Sequence, residues 1–513
     1  MFDHRSSKLI TLIALPVIVL IFYFTASSHF DYTPDDTYIY LQYAKNLLHG
    51  GGVSFNAGES SYGFTSPLWL LLISFGGLSG VDVYIAAKTI DLFFASIAIM
   101  IFYFLAFEVI RDIMVAVVAT LAFSSHSWLL RWAGTGMETS ISVLLILVSV
   151  LFCLRNEYLL SVIFAALLTL ARPESCFLVL FIVIDLYVNS KDRQHALRVI
   201  LKMICIYLIV LSPWLIYAYN TFHTIIPNSG LTKSLPGFHL QDILQNMLNV
   251  FKIVGASDGI AIVVLLICGL ILFIQYRRNR FGDVKNEDAF YIWRQSIVAL
   301  SMIAAIPSVY LVLRIPVVSR YLLLVSPLIL IFAFTYLFRV LQLSKYRQYT
   351  YAGVVLFTGF FMVQNQMLYQ QVVKPGIEAF EFGMQTSLIH IGKWLKQNSD
   401  SGDVILCWDV GAVGYYSNRK ICDGTGLVSP SLPKLKGEQL PDDQWINRYT
   451  AHCNAKYVLH RSLQSEELSK NLKLFPMMTR PFYRLGLLKE DLYYYTLYKV
   501  VSDQSEINLL GSS

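Results

Sequence analysis

Residues 31–69 read DYTPDDTYIYLQYAKNLLHGGGVSFNAGESSYGFTSPLW. An apolar run from Leu9 to Thr25 precedes this stretch, and a shorter apolar piece from Pro67 to Leu78 closes it. Between them lie two adjacent carboxylates, Asp35 and Asp36, then a row of tyrosines, three glycines and a Phe-Asn turn. Thr33-Pro34-Asp35-Asp36 fits a helix start, with Thr33 as N-cap, Pro34 at the first helical position and Asp36 at the third. The helix it opens carries Tyr40, Tyr43, Ala44, Leu47 and Leu48 at helical spacing, the pattern of an amphipathic helix lying in a membrane interface. Gly50-Gly51-Gly52 ends it. The two acids read either as a helix cap or as chemistry placed just outside an apolar span.

The surrounding sequence supplies the context. Of 513 residues, 56% are hydrophobic and only 14% charged, with a mean hydropathy of +0.55. Repeated apolar runs of about 20 residues read as membrane helices. Eleven spans are expected, at about 9–27, 83–107, 113–130, 138–154, 157–171, 175–189, 199–219, 258–276, 293–312, 321–340 and 351–368. The first follows a basic head with Arg5 and Lys8 but has no small-residue cleavage site, so it reads as a retained anchor. Pro67–Leu78 is too short to cross and reads as juxtamembrane or re-entrant. The net charge of +6 is spread over loops and forms no basic stripe, so no nucleic-acid partner is expected. Cys153, Cys176, Cys205 and Cys268 lie in or beside apolar runs, as buried thiols do. Cys407, Cys422 and Cys453 are odd in number and allow at most one bridge.

Lys and Arg orient the chain. With the N-terminus cytoplasmic, the inner loops carry Arg5, Lys8, Arg111, Arg155, Lys191, Arg193, Arg277, Arg278, Arg280, Lys285, Lys345 and Arg347. The outer loops carry Lys45, Arg131, Arg172, Lys233, Lys252, Arg314 and Arg320. Were Pro67–Leu78 a crossing, the basic loops would face outward. Two regions follow: residues 1–370 in the membrane, with a first outer loop at 28–82, and residues 371–513 outside. The second region has ordinary polarity and reads as a small α/β domain. GDVILCWD, AKYVLH and DLYYYTLYKVV read as strands, and GAVGYYS as a short helix.

Several outer loops place polar groups beside span ends: Asp35 and Asp36, Glu138, Arg172 and Glu174, Asn228 and Lys233, and Arg320. Each has a plain reading. Glu138 complements a helix dipole, Arg172 snorkels at a helix end, Asn228 makes a turn, and Arg320 anchors at the interface. Lys88, Asp91 and His126 read as polar groups satisfied structurally. Together, acids and cations on one membrane face suit an anionic lipid-linked substrate. Arg and Lys bind phosphate, and a carboxylate accepts a proton from an attacking hydroxyl.

The first-loop stretch resembles that of the membrane-embedded GT-C glycosyltransferases, above all the actinobacterial arabinofuranosyltransferases that add terminal β-linked residues, and their bacterial relatives. Asp35-Asp36, Tyr43-Ala44-Lys45-Asn46-Leu47, Gly50–Gly52, Phe55-Asn56, Gly58-Glu59, Gly63-Phe64-Thr65-Ser66 and Leu68-Trp69 carry the resemblance. GMET at Gly136–Thr139, RPE at Arg172–Glu174, PNS at Pro227–Ser229 with Lys233, SRYLL at Ser319–Leu323, and WDVGAVGYYS with Asp423 and GLVSP extend it along the chain. Gln42 and Tyr62 depart from the family pattern, where Arg and Glu are frequent.

The resemblance implies a multi-pass α-helical membrane protein of GT-C type, with about eleven spans and a C-terminal extracytoplasmic α/β domain, in a bacterial plasma membrane. It implies a polyprenyl-phosphate sugar as donor and a cell-envelope glycan or lipid-glycan as acceptor. Asp35 or Asp36 is the expected general base. The other holds the sugar or a divalent cation (Mg, Mn or Ca), with Asp36 the metal candidate. Arg172, Lys233 and Arg320 are expected at the donor phosphate. Tyr38, Gln42, Asn56, Glu59, Thr65, Glu138, Glu174 and Asn228 are expected to position substrate, with Phe64 and Trp69 as further stacking groups. The sugar stays open between arabinofuranose and a hexose, mannose or aminoarabinose. A lipid-linked glycan flippase is the rival from another class, and it calls for mid-span polar groups and inverted repeats.

Overall fold

Each expected span is helical in the computed structural model, which describes residues 4–233, 240–280, 287–343, 347–429, 442–465, 468, 474–483 and 492–501. Among the described residues, four helices are long and apolar enough by length and composition to cross a membrane: Val83–Ile110, Arg193–Phe222, Leu240–Gln275 and Ser326–Leu343. Thr11–Ser27, Ile113–Ser124, Thr139–Leu154, Tyr158–Ala171 and Ser296–Val312 are shorter apolar helices, and Thr350–Leu368, at the last expected span, is long enough but too polar to count with the four. Lys285, Lys345 and Pro430, used in the orientation and motif readings, lie outside the described residues.

Local chemistry sets the helix ends. The Asp82 carboxylate accepts the Tyr84 N–H (2.8 Å) and Asp112 accepts that of Val115 (3.0 Å), each opening an apolar helix. Arg111 and His223 close helices in the left-handed conformation, at φ 61° and 56°. The span expected at 113–130 is two helices, Ile113–Ser124 and Ser127–Trp132. The break falls at Ser-Ser-His-Ser. There the Ser124 and Ser125 hydroxyls bond back to Leu121 and Ala122 carbonyls, competing with the helical ladder.

The first loop, residues 28–82, is an ordered unit. Helix Asp35–Leu48 is followed by a small hairpin, β1 (Ser54–Asn56) and β2 (Glu59–Ser60), and by the helix Pro67–Gly77. The capping expected of Thr33 is not found. The helix starts at Asp35 behind an extended Pro34, without a side-chain cap. The Thr33 hydroxyl instead donates to the Asp31 carbonyl and receives the Lys88 ammonium (2.9 Å). Lys88, buried in the span, thus fixes the turn that enters the loop.

The C-terminal region builds a five-stranded sheet from β3 (Val404–Cys407), β4 (Lys420–Asp423), β5 (Tyr457–Ser462), β6 (Leu474–Tyr483) and β7 (Leu492–Val500), in the order β4-β3-β5-β7-β6. The first three are mutually parallel, and β7 and β6 run antiparallel. Cys422 on β4 is bridged to Cys453 at the end of helix Asp442–Cys453, and Cys407 stays free and buried.

The sheet is joined to the first loop. Asn56 Oδ1 accepts the Ile421 N–H and its Nδ2 donates to the Ile421 carbonyl, both at 2.9 Å. One side chain thereby satisfies both backbone groups of an edge-strand residue, as a neighbouring strand would. Gly63 lies so close to Leu427 that an added Cβ would sit 2.9 Å from its carbonyl oxygen.

Candidate active site

Asp35 and Asp36 are neighbours in one helix, and consecutive helical residues point about 100° apart. The two carboxylates therefore meet different partners. Asp35 turns to the C-terminal sheet: the Gly411 N–H donates to its Oδ2 (3.0 Å) and the Ala412 N–H to its Oδ1 (2.8 Å). Burial first and the Asp409 carboxylate second raise its pKa to about 7, against the lowering pull of the two amide bonds. Asp36 turns the other way and accepts a charge-assisted hydrogen bond from Arg320 Nη2 at 2.5 Å. Its side chain is 39% exposed, whereas that of Arg320 is 8% exposed.

Asp36 and Arg320 face a cavity of about 820 Å³. Its polar part contains Thr65, Glu138, Arg172, Glu174, Ser229 and Tyr310. Its apolar part contains Ile39, Phe177, Leu180, Phe181, Val309 and Leu313. Arg172 is held between two acids, with Nη2 2.8 Å from Glu138 and Nη1 3.4 Å from Glu174. The Tyr310 hydroxyl donates to Glu174. Tyr310 stacks on Tyr321 at 4.7 Å, and both guanidiniums sit over Tyr321, Arg172 at 5.0 Å and Arg320 at 5.2 Å. Arg172 Nε, Arg320 Nε and Ser229 Oγ are buried without a hydrogen-bond partner among the described residues. Orphan donors on cavity-lining residues mark where an anionic oxygen gains most.

The remaining expected residues divide between this cavity and its scaffold. Thr65, Glu138 and Glu174 line the cavity, as does Phe64. Tyr38 is buried among Tyr84, Tyr415 and Tyr416, against the C-terminal region. Gln42 donates to the Phe55 carbonyl, Asn56 binds β4, and Glu59 pairs with Lys420 at the surface. Asn228 donates to the Leu427 carbonyl at 3.1 Å. Trp69 is buried and donates to the Gly136 carbonyl at 2.9 Å, so it holds the loop that presents Glu138. Asp91 accepts the Gly136 N–H of the same loop at 3.0 Å. Tyr62, one of the departures from the family pattern, is pinned by Trp214 at 2.8 Å. Lys233 ends helix Asn228–Lys233, and its side chain lies outside the described residues.

Ser229, Tyr310 and Tyr321 line the cavity without a role in the sequence reading. Ser229 and Tyr321 sit inside the PNS and SRYLL motifs, so motif position could have found them. Tyr310 lies within an apolar span and carries no such signal. A divalent cation fits poorly here. Among the described residues, no three His, Cys, Asp or Glu converge. The cavity acids are already engaged, Asp36 by Arg320, and Glu138 and Glu174 by Arg172.

The fold matches an oligosaccharyltransferase of Archaeoglobus fulgidus at TM-score 0.60 and 12% identity, over 87% of this chain and 69% of that one. It matches archaeal AglB in complex with an inhibitory peptide and a dolichol-phosphate at TM-score 0.55 and 12% identity, over 88% and 69%. It also matches ArnT of Cupriavidus metallidurans bound to undecaprenyl phosphate at TM-score 0.56 and 11% identity, over 96% and 98%. At these identities the likeness is one of fold, which this chain shares with AglB and ArnT. The Archaeoglobus oligosaccharyltransferase has also been captured with Zn and sulfate. A family model described as a domain of unknown function (DUF8728) matches residues 377–503, the stretch that holds the five-stranded sheet. No curated protein matches the sequence.

Proposed function

We propose that the protein is a membrane glycosyltransferase that moves a sugar from a polyprenyl-phosphate donor to an extracytoplasmic glycan or lipid-glycan acceptor. One observation carries this reading. A single cavity sets an accessible carboxylate, Asp36, against Arg320 and near the buried Arg172, and continues into an apolar lining suited to an isoprenoid chain. The fold shared with lipid-phosphate-dependent transferases supports it.

In this mechanism the Asp36 carboxylate takes the proton of the acceptor hydroxyl. The hydroxyl oxygen bonds to the anomeric carbon while the bond from that carbon to the phosphate oxygen breaks. The phosphate leaves with added negative charge, which Arg320 and Arg172 stabilise in a largely dry site. Glu138 and Glu174 aim the Arg172 guanidinium. Asp35 is a positioning residue that locks the helix to the outer domain. No step is routed through a metal.

Arabinofuranose as the sugar rests on the first-loop resemblance. A hexose, mannose or aminoarabinose is the alternative within the same chemistry. The extracytoplasmic side of the site, the eleven spans and the boundary near residue 370 rest on charge asymmetry and hydropathy, and the bacterial plasma membrane rests on the first-loop resemblance.

The test is transfer from polyprenyl-phosphate sugars by purified variants. Asp36→Asn lowers kcat by about 10²–10⁴-fold, the usual loss for a missing general base. Arg320→Ala raises the donor KM. A folded Asp36→Asn protein with full activity rejects the mechanism.

A further inference from the structure

Asp258 has no part in the reading above, yet three elements converge on it. It lies in helix Leu240–Arg280 with its side chain fully buried. His126 Nε2 lies 3.2 Å and 3.3 Å from its two oxygens. The Ser257 hydroxyl donates to Oδ2 at 2.7 Å and the Ser326 hydroxyl at 2.8 Å. His126 Nδ1 is buried with no partner among the described residues, so the imidazole is held on one side only.

The two distant partners flank the elements that carry the phosphate-facing groups. His126 immediately precedes helix Ser127–Trp132. Trp132, at its far end, donates to Ser319 Oγ at 2.9 Å and lies under the Arg320 guanidinium at 5.6 Å. Ser326 opens helix Ser326–Leu343, just after the short helix Ser319–Leu322 that bears Arg320. Asn365 reinforces the same joint. It accepts the Ser127 N–H at 2.9 Å and donates to the Ser257 carbonyl at 2.9 Å. One carboxylate therefore ties the root of the Trp132 helix to the root of the helix after Arg320.

We propose that Asp258, with His126, is a positioning residue that sets Arg320 for the lipid phosphate, although it lies outside the cavity lining. This rests on Arg320 binding the donor phosphate. Without the carboxylate, the two roots part, and the Trp132 ring no longer fixes the Arg320 fork. A monodentate or misaimed guanidinium loses much of its affinity for a phosphate.

The experiment is a double-mutant cycle read by binding of undecaprenyl phosphate to the purified full chain, with melting temperatures recorded alongside. Arg320→Ala and Asp258→Ala are each expected to weaken binding about tenfold. Because both act through one guanidinium, the double variant is expected to bind no more weakly than Arg320→Ala alone. Asp258→Ala binding as wild type does, or adding its full loss in the Arg320→Ala background, overturns the proposal. Should Asp258→Ala fail to fold, Asp258→Asn keeps the volume. Its weaker loss must likewise vanish in the Arg320→Ala background, and an additive loss, or none in the wild-type background, overturns the proposal. A wild type that does not bind undecaprenyl phosphate, or binding indifferent to Arg320→Ala, strikes instead at the proposed function.

Discussion

At the scale of the residue, Asp35 shows what a shared helix turn does to two like acids. Its neighbour faces the cavity, and Asp35 faces the amides of Gly411 and Ala412. Folding lifts its pKa from 3.8 to about 7, through burial first and Asp409 second. The sign follows from proton counting. Between about pH 4 and 7 the folded chain holds the Asp35 proton and the unfolded chain does not, so this residue's contribution to stability falls as pH rises through that window. Burial raises the pKa of Asp423 as well and acts in the same sense. Melting temperatures from pH 4 to 8 should therefore drop less steeply for Asp35→Asn than for the wild type. Equal slopes would show that Asp35 does not titrate as described. The sequence presented both acids and made each a candidate base. The separation of their roles was not legible, because Gly411, the partner of Asp35, lies 376 positions away.

At the scale of the element, pattern reading succeeds where one rule governs a segment and fails where two compete. Strands β3, β5 and β7 were legible as apolar runs bounded by turns. Strand β4 is four residues long, too short for alternation to stand out. Strand β6 carries Pro476 and Pro481, which argue against a strand, yet it pairs on one side only and an edge tolerates proline. The helix Leu240–Arg280 runs well ahead of the span expected at 258–276, since its first turns are polar and do not read as membrane. The short helix Gly411–Ser417 was legible, but its need for glycine at the start was not. A Cβ on Gly411 would sit 2.0 Å from the Asp35 carbonyl oxygen. Gly411→Ala must push the helix off the first loop, at a cost of about 1–3 kcal/mol by comparison with overpacked cores. Chemical denaturation of the purified variant measures this, and an unchanged midpoint would mean that the two elements part without loss.

At the scale of the whole molecule, the cavity belongs to no single segment. The first loop, the 172–181 stretch, the end of helix Glu287–Val312, the Arg320 turn and Leu427 all line it. Cys176 lies on its wall and is exposed, while Cys205 is exposed on helix Arg193–Phe222 outside the lining. Undecaprenyl phosphate at about ten times its dissociation constant should slow maleimide modification of Cys176 about tenfold. Cys205 should react as before. Unslowed Cys176 would place the lipid elsewhere. The spans were legible from hydropathy, but their gathering around one void was not, because packing among apolar helices leaves no one-dimensional trace. The long reach between Asp35 and Gly411, and between Asn56 and Ile421, also bears on biogenesis. The ribosome makes the acid loop 376 residues before its clamp. A nascent chain can thus thread its helices into the bilayer before its reactive centre is assembled. A transcript that stops short of the sheet would yield a membrane-inserted body that lacks the groups holding its acid loop in place.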